Sequence, residues 1–300
     1  MIDCDFLSQF FEIALIRFNF SGKQKKFDKL KLDKTIIGMV HVAALPGTPG
    51  NTMKIDAIIS EALRETLILS EGGVDAVMIE NMHDRPYLNR NAGPEIVSAM
   101  TAVATEIRHA FKIPLGIQIL AGANKEALAV ALAASFDFIR AEGFVFGHLA
   151  DEGWMNSDAG ELLRYRKQIG AEHIKIFTDI KKKHSSHFIS SDISTAETAK
   201  AAEFFLSDGV IVTGAATGKK ASVDEVKMTK NSVEIPVIIG SGIDVENIQE
   251  YWDFADAFIV GSSLKKEGNW ENEVDKSRVI KLMQKVNQLN ETHHFKEPAV

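Results

Sequence analysis

Eight short apolar runs recur from Thr35 onward, each followed by a loop and then a longer segment with helical spacing. They are "TIIGMVHV" (35–42), "DAVMIEN" (75–81), "PLGIQIL" (114–120), "FDFIRAEG" (136–143), "HIKIFTDI" (173–180), "DGVIVTG" (208–214), "PVIIGSG" (236–242) and "DAFIVGSS" (256–263). The runs are nearly continuous in apolar residues, the pattern of strands covered on both faces. The intervening segments carry helix signals. "ALRETLILSEGG" ends in a glycine stop, Asn124 stands where it can cap "NKEALAVALAA", and Asp244 precedes "VENIQEYW". Ser194 with Glu197, and Ser222 with Glu225, have capping-box spacing. Eight strand–helix units predict a single (β/α)8 barrel over residues 35–290, with an extension at 1–34 and a tail at 291–300. The alternative is an open, doubly wound sheet, since eight strands could also lie flat. In a barrel, reactive groups belong at the C-terminal strand ends and in the loops after them.

The extension holds the one cysteine, Cys4, which excludes an internal disulfide framework or a cysteine-based zinc site. Residues 6–20, "FLSQFFEIALIRFNF", are too short for a membrane span and are interrupted by Glu12 and Arg17. Asp3 and Asp5 precede them, where a secretory signal needs positive charge. A helix packed under the domain is the expected reading, and "KQKKFDKLKLDK" reads as a solvated linker. No transmembrane segment is expected. A cytoplasmic location follows, with mitochondrial or other organelle targeting as the alternative. The formal net charge of -7 gives no global attraction for nucleic acid, so any anion must be caught by a local site.

Two of the strand ends share a feature. The seventh and eighth runs both break into glycine and serine, at Gly240, Ser241 and Gly242 and at Gly261, Ser262 and Ser263. Barrels often bind phosphate in these two loops, where glycine lets backbone N–H groups approach the anion. Lys265 and Lys266 could add charge, although the following helix could turn them outward. "TGAATGKK" after the sixth run resembles a Walker loop, but its glycines are one residue too close and Lys220 replaces the hydroxyl. It reads as a glycine-rich loop from which Thr213 and Lys219 could face the ligand.

Other strand ends are polar at the same depth: His41, Glu80, Asn81, Gln118, Arg140, Glu142 and Asp179. The loop after the fifth run, "FTDIKKKHSSHFISSD", is the densest. From this ring, Asp179 and His184 are expected to transfer protons, with Glu142 and Glu80 as reserve acid or base. Lys181 would neutralise developing charge. His41, Asn81, Gln118, Arg140 and Thr213 join the two Gly-Ser loops as substrate contacts. No dedicated metal site is predicted. His184 and His187 with the nearby carboxylates could still hold a divalent cation, so the cofactor stays unknown. The long segment "GFVFGHLADEGWMNSDAGELLRYRK" after the fourth run has the aromatics and glycines of a lid.

Several motifs together resemble the BtpA family, from about Thr35 to about Leu289: "GMVHVAALPGTPG", "GGVDAVMIEN", "FIRAEGFVFGHLADEG", "LLRYRKQIGA", "FTDIKKKHSSH", "VIVTGAATGK" and "PVIIGSGIDVENI" with "DAFIVGSSLK". The resemblance implies a phosphate-binding barrel and supplies no catalytic residues. The expected partner is a small phosphorylated metabolite; a homo-oligomer is compatible with the sequence. An enzyme of the isomerase, lyase or hydrolase type is expected. A non-catalytic factor for assembling a protein complex is the alternative, suggested by the photosystem I biogenesis role of the family's namesake.

Overall fold

The computed structural model describes residues 32–214 and 220–294. Expectations for Cys4, for residues 6–20 and for Lys219 lie outside the described residues. Eight parallel strands close into a barrel: β1 (Thr35–His41), β2 (Ala76–Glu80), β3 (Leu115–Gln118), β4 (Phe138–Ala141), β7 (Lys175–Ile180), β9 (Gly209–Val212), β10 (Val237–Ile239) and β11 (Ala257–Val260). β11 pairs with β1, Thr35 opposite Ala257, so no edge is left open. The open-sheet alternative is thereby eliminated. Between and after the strands run α1 (Ile55–Gly72), α2 (Pro94–Ala110), α3 (Asn124–Ala133), α4 (Ala159–Gln168), α5 (Thr195–Phe204), α6 (Val223–Lys230), α7 (Ile248–Tyr251) and α8 (Lys276–His294). The last helix runs through position 290 without a break.

Side chains alternate across each strand, and two apolar cores result. Ile36, Val40, Val77, Ile79, Ile117, Ile139 and Ile176 face outward to the helices. Ile37, Met39, Met78, Phe138, Phe177, Ile211, Ile238 and Ile259 fill the interior. Two glycines make room for the interior phenylalanines. A Cβ on Gly116 would fall 2.1 Å from Phe138, and one on Gly209 would fall 2.9 Å from Phe177. The two rings meet at 5.5 Å between centroids. Below them, Leu32 packs against the barrel floor, and the Lys34 ammonium donates to the carbonyls of Trp252 and Ala255. Cavities open on the interior from the C-terminal strand ends.

Helix signals resolve individually. Gly73 ends α1 at φ 93, and Ser194 with Glu197 form a complete capping box on α5. Ser222 accepts from Glu225 N–H, but Glu225 turns instead to the Thr195 hydroxyl. Asn124 is the first residue of α3, not its cap; its amide donates to the Glu142 carbonyl and to Asp158. Asp244 accepts from the N–H groups of Glu246 and Asn247, which tightens a turn ahead of α7 and leaves that helix short.

The segment after β4 is a hairpin, β5 (His148–Ala150) with β6 (Gly153–Met155). It gains a third strand, β8 (Ser185–Ser186), from the loop after β7. The expected lid is therefore tied by backbone pairing to the basic loop.

Candidate active site

The inward parity that fills the barrel with Met39, Met78, Phe138, Phe177, Ile211, Ile238 and Ile259 sets the next layer two residues on. That layer is His41, Glu80, Arg140, Asp179, Thr213, Gly240 and Gly261, and Gln118 completes it from β3, where Gly116 occupies the layer below. One position per strand thus forms a polar ring above an apolar plug.

Two cavities open on this ring. The inner one, about 270 Å³, is lined by both Gly-Ser loops, from Gly240 to Gly242 and from Gly261 to Ser263, together with His41, Glu80, Arg140, Lys183 and Arg278. The outer one, about 280 Å³, is lined by Tyr87, Gln118, Glu142, Glu152, Lys182, His184 and Trp270. Glu80, Met82, Arg140 and Lys183 border both, so they form the waist of one cleft.

The Gly-Ser loops are held by their own hydrogen bonds. Ser241 Oγ accepts from Gly214 N–H, Asn247 donates to the Gly242 carbonyl, and the Ser263 hydroxyl donates to the Ile243 carbonyl. Gly242 has φ 70, a conformation that a side chain strains. A Cβ on Gly240 would fall 2.4 Å from Ile211, and one on Gly261 would fall 3.3 Å from His41 Nε2. Bare backbone therefore faces the inner cavity from both loops.

Beside Arg140 and Lys183, a third cation borders this cavity: Arg278, in the first turn of α8, which donates to the Ser263 carbonyl. It lies outside the motifs that single out the loops, and only the return of α8 brings it there. Lys265 and Lys266 do not contribute. Lys265 is buried against Glu65 at 2.7 Å, and Lys266 pairs with Glu273 at the surface. These residues are the inward and outward sides of the same turn.

His41 Nδ1 lies 3.0 Å from the Trp270 carbonyl. A carbonyl only accepts, so Nδ1 carries the proton and Nε2 keeps its lone pair. Burial, with Lys265 adding to it, holds His41 well below the ordinary histidine range, so the ring is neutral. Glu80 is pushed the other way: burial raises its carboxyl, opposed by Arg140 and Lys183. Its carboxyl oxygens make no hydrogen bond with a described residue.

Arg140 and Asp179 form a bidentate pair, Nε to Oδ2 at 2.9 Å and Nη2 to Oδ1 at 2.8 Å, with the carboxylate fully buried. Burial alone would lower Arg140, but Asp179 outweighs it and raises the guanidinium further. Asp179 borders neither half of the cleft; it aims Arg140 into it. Lys182 is clasped between Glu142 at 3.1 Å and Glu152 at 3.3 Å. Those two carboxylates overcome its burial and hold its amine above the ordinary value. Gln118 donates to Glu142 at 3.0 Å.

Three further sequence candidates fall elsewhere. Asn81 braces loops: its amide donates to Asp84, and its carbonyl oxygen accepts from Leu120 N–H. Lys181 turns outward to the Ser190 carbonyl, in a small space that also includes Asp179 and His187. Thr213 is a buried member of the ring and borders neither half of the cleft. The loop's second and third lysines, not its first, reach the cleft, and backbone turns at φ 50 on Lys181 and φ 55 on His184 set that order.

No group of three or more His, Cys, Asp or Glu side chains is arranged to hold a metal among the described residues. His184 borders the outer cavity, whereas His187 packs on His148 at 5.1 Å and bonds the Lys182 carbonyl. No helix among the described residues is long and apolar enough to cross a membrane.

Solved structures share the barrel at low identity. A mutant tryptophan synthase alpha-subunit from Pyrococcus furiosus superposes with a TM-score of 0.55 at 15% identity, covering 87% of this chain and 100% of that one. Thiamine phosphate pyrophosphorylase from the same organism gives 0.53 at 15%, covering 86% and 98%. N-(5'-phosphoribosyl)anthranilate isomerase gives 0.53 at 13%, covering 85% and 99%. These show the fold. Sequence relatives are nearer. An uncharacterized mitochondrial protein of Caenorhabditis elegans is 51% identical over 259 residues, 85% of this chain and 93% of its own length. An uncharacterized protein of Archaeoglobus fulgidus is 37% identical, with 84% and 98% covered. The photosystem I biogenesis protein BtpA of Synechocystis is 33% identical, with 84% and 88% covered. The BtpA family model matches residues 32–288, the whole barrel with its polar ring and both Gly-Ser loops, and the chain belongs to the BtpA family.

Proposed function

We propose that this barrel is an enzyme that transfers protons on a small phosphorylated metabolite, with the phosphate between the two Gly-Ser loops. One observation carries the reading: both loops and Arg278 border the same inner cavity as Glu80 and the neutral His41. Backbone N–H groups and a guanidinium suit an oxyanion. A carboxyl raised by burial suits general acid–base work. Glu80 is the acid–base group of this reading, and His41 Nε2 is a second acceptor. Asp179 is a positioning residue for Arg140, and Glu142 and His184 serve the outer half of the cleft. Tryptophan synthase and thiamine phosphate pyrophosphorylase lend only a shared fold to this assignment.

A thermal-shift screen of sugar phosphates against the full chain finds the ligand. At one hundred times its dissociation constant a ligand stabilises by about 2.7 kcal/mol. With the substrate so found, Glu80→Gln should cut turnover by about 10²–10⁴-fold while the ligand shift persists. Unchanged turnover in a folded Glu80→Gln protein removes Glu80 from the chemistry. A scaffold that only assembles other proteins would show no shift with any phosphorylated compound.

A further inference from the structure

The charged groups around the cleft are nearly all matched. Arg140 is held by Asp179, Lys182 by Glu142 and Glu152, and Lys265 by Glu65. Lys183 is one of the exceptions. It is half-buried at the waist and borders both halves of the cleft, and its side-chain amine makes no hydrogen bond or ion pair with a described residue. Glu80 shares the waist, and its carboxyl likewise makes no hydrogen bond with a described residue. An amine and a carboxyl thus stand open on the same space, next to a cavity whose far wall is suited to phosphate.

Resting on that phosphate reading, we propose that Lys183 is a nucleophile, and that the substrate is a phosphate ester carrying a free aldehyde or ketone. The neutral amine attacks the carbonyl carbon, and the C=O π pair moves to oxygen. Glu80, as the carboxylic acid, supplies one proton. On addition the oxygen takes one proton from the nitrogen, giving the neutral carbinolamine; it then takes the Glu80 proton and leaves as water, while the nitrogen lone pair forms the C=N bond and one N–H remains. The products are a protonated imine on Lys183, one water and the Glu80 carboxylate, so a neutral amine, a carbonyl and an acid are fully accounted for. Burial lowers the Lys183 amine below its ordinary value, and Arg140 beside it adds to the effect. That enlarges the neutral, nucleophilic fraction, the condition under which lysines form Schiff bases. The iminium so formed would make proton removal from the neighbouring carbon easier, the step for which Glu80 is placed.

The test treats the full-length protein with dihydroxyacetone phosphate or glyceraldehyde 3-phosphate in the presence of sodium cyanoborohydride, followed by peptide mapping. Glycerol 3-phosphate, which has no carbonyl, is run in parallel by thermal shift. The expected result is one reduced adduct on the peptide holding Lys183, at least about tenfold above any other lysine peptide, suppressed by glycerol 3-phosphate and lost in Lys183→Arg. The mapping on the unmodified sequence decides even if Lys183→Arg fails to fold. A thermal shift with glycerol 3-phosphate but no preferential adduct from either carbonyl compound overturns the lysine assignment and leaves the phosphate site standing. A preferential adduct without that shift upholds the lysine and overturns the phosphate site. Neither signal overturns both.

Discussion

At the residue scale, the Arg140–Asp179 pair separates two roles that one carboxylate could have. A strand-end aspartate beside a basic loop reads as a proton-transfer group. In the barrel its oxygens are both taken up by one guanidinium, at 2.9 and 2.8 Å, away from solvent. Breaking a buried pair from one side costs about 3–5 kcal/mol, because the remaining charge stays buried. Asp179→Asn should therefore lower unfolding free energy by about that amount in urea titration. Turnover per folded molecule should fall less than in Glu80→Gln. If the variant is as stable as the parent and inactive, Asp179 belongs to the chemistry. The sequence shows which strand ends are polar. It does not show which polar groups neutralise one another across the ring, since Arg140 and Asp179 lie 39 positions apart.

At the element scale, the hairpin β5–β6 is pinned to the cleft from two directions. β8 pairs with β5, and Lys182 joins Glu142 of the rim to Glu152 of the hairpin turn. Lys182→Met should leave two buried carboxylates facing each other. Hydrogen exchange of residues 148–155 should accelerate by at least about tenfold, the equivalent of about 1.4 kcal/mol, while the barrel strands stay protected. Uniform exchange across the molecule would contradict a local tether. The same hairpin carries a pH dependence. Burial, with His187 as the next cause, lowers His148 to about 4. Unfolded histidine titrates near about 6.5, so between these values the unfolded chain binds more protons than the folded one. Stability is then complete above about 6.5 and is lost as pH falls toward about 4, by up to about 3 kcal/mol from this group. His41 acts in the same direction. His148→Gln should flatten part of that slope in urea midpoints from pH 7 to 4; an unchanged slope would show that His148 is not buried neutral. The hairpin pairing was not legible in the chain, because three-residue strands carry too little periodicity and β8 comes from a lysine-rich loop.

At the scale of the whole molecule, the strand count and the face on which the cleft opens follow from the eight apolar runs alone. Each run contains its strand, and the two Gly-Ser turns end β10 and β11 as their position predicts. What periodicity could not supply is convergence. Arg278 arrives from the last helix, Trp270 from the loop before it, and Lys183 rather than Lys181 reaches the waist. The central claim is that the neighbouring turns recur because they share one anion. Isothermal titration of the full chain and of Gly242→Asp with inorganic phosphate and glycerol 3-phosphate tests it most directly. The account predicts a single site whose affinity falls at least about tenfold in the variant, since a charge-assisted hydrogen bond contributes about 1.5–3 kcal/mol and about 1.4 kcal/mol is tenfold. Binding of equal strength by a folded Gly242→Asp protein, or no binding of either anion by the parent, would contradict it.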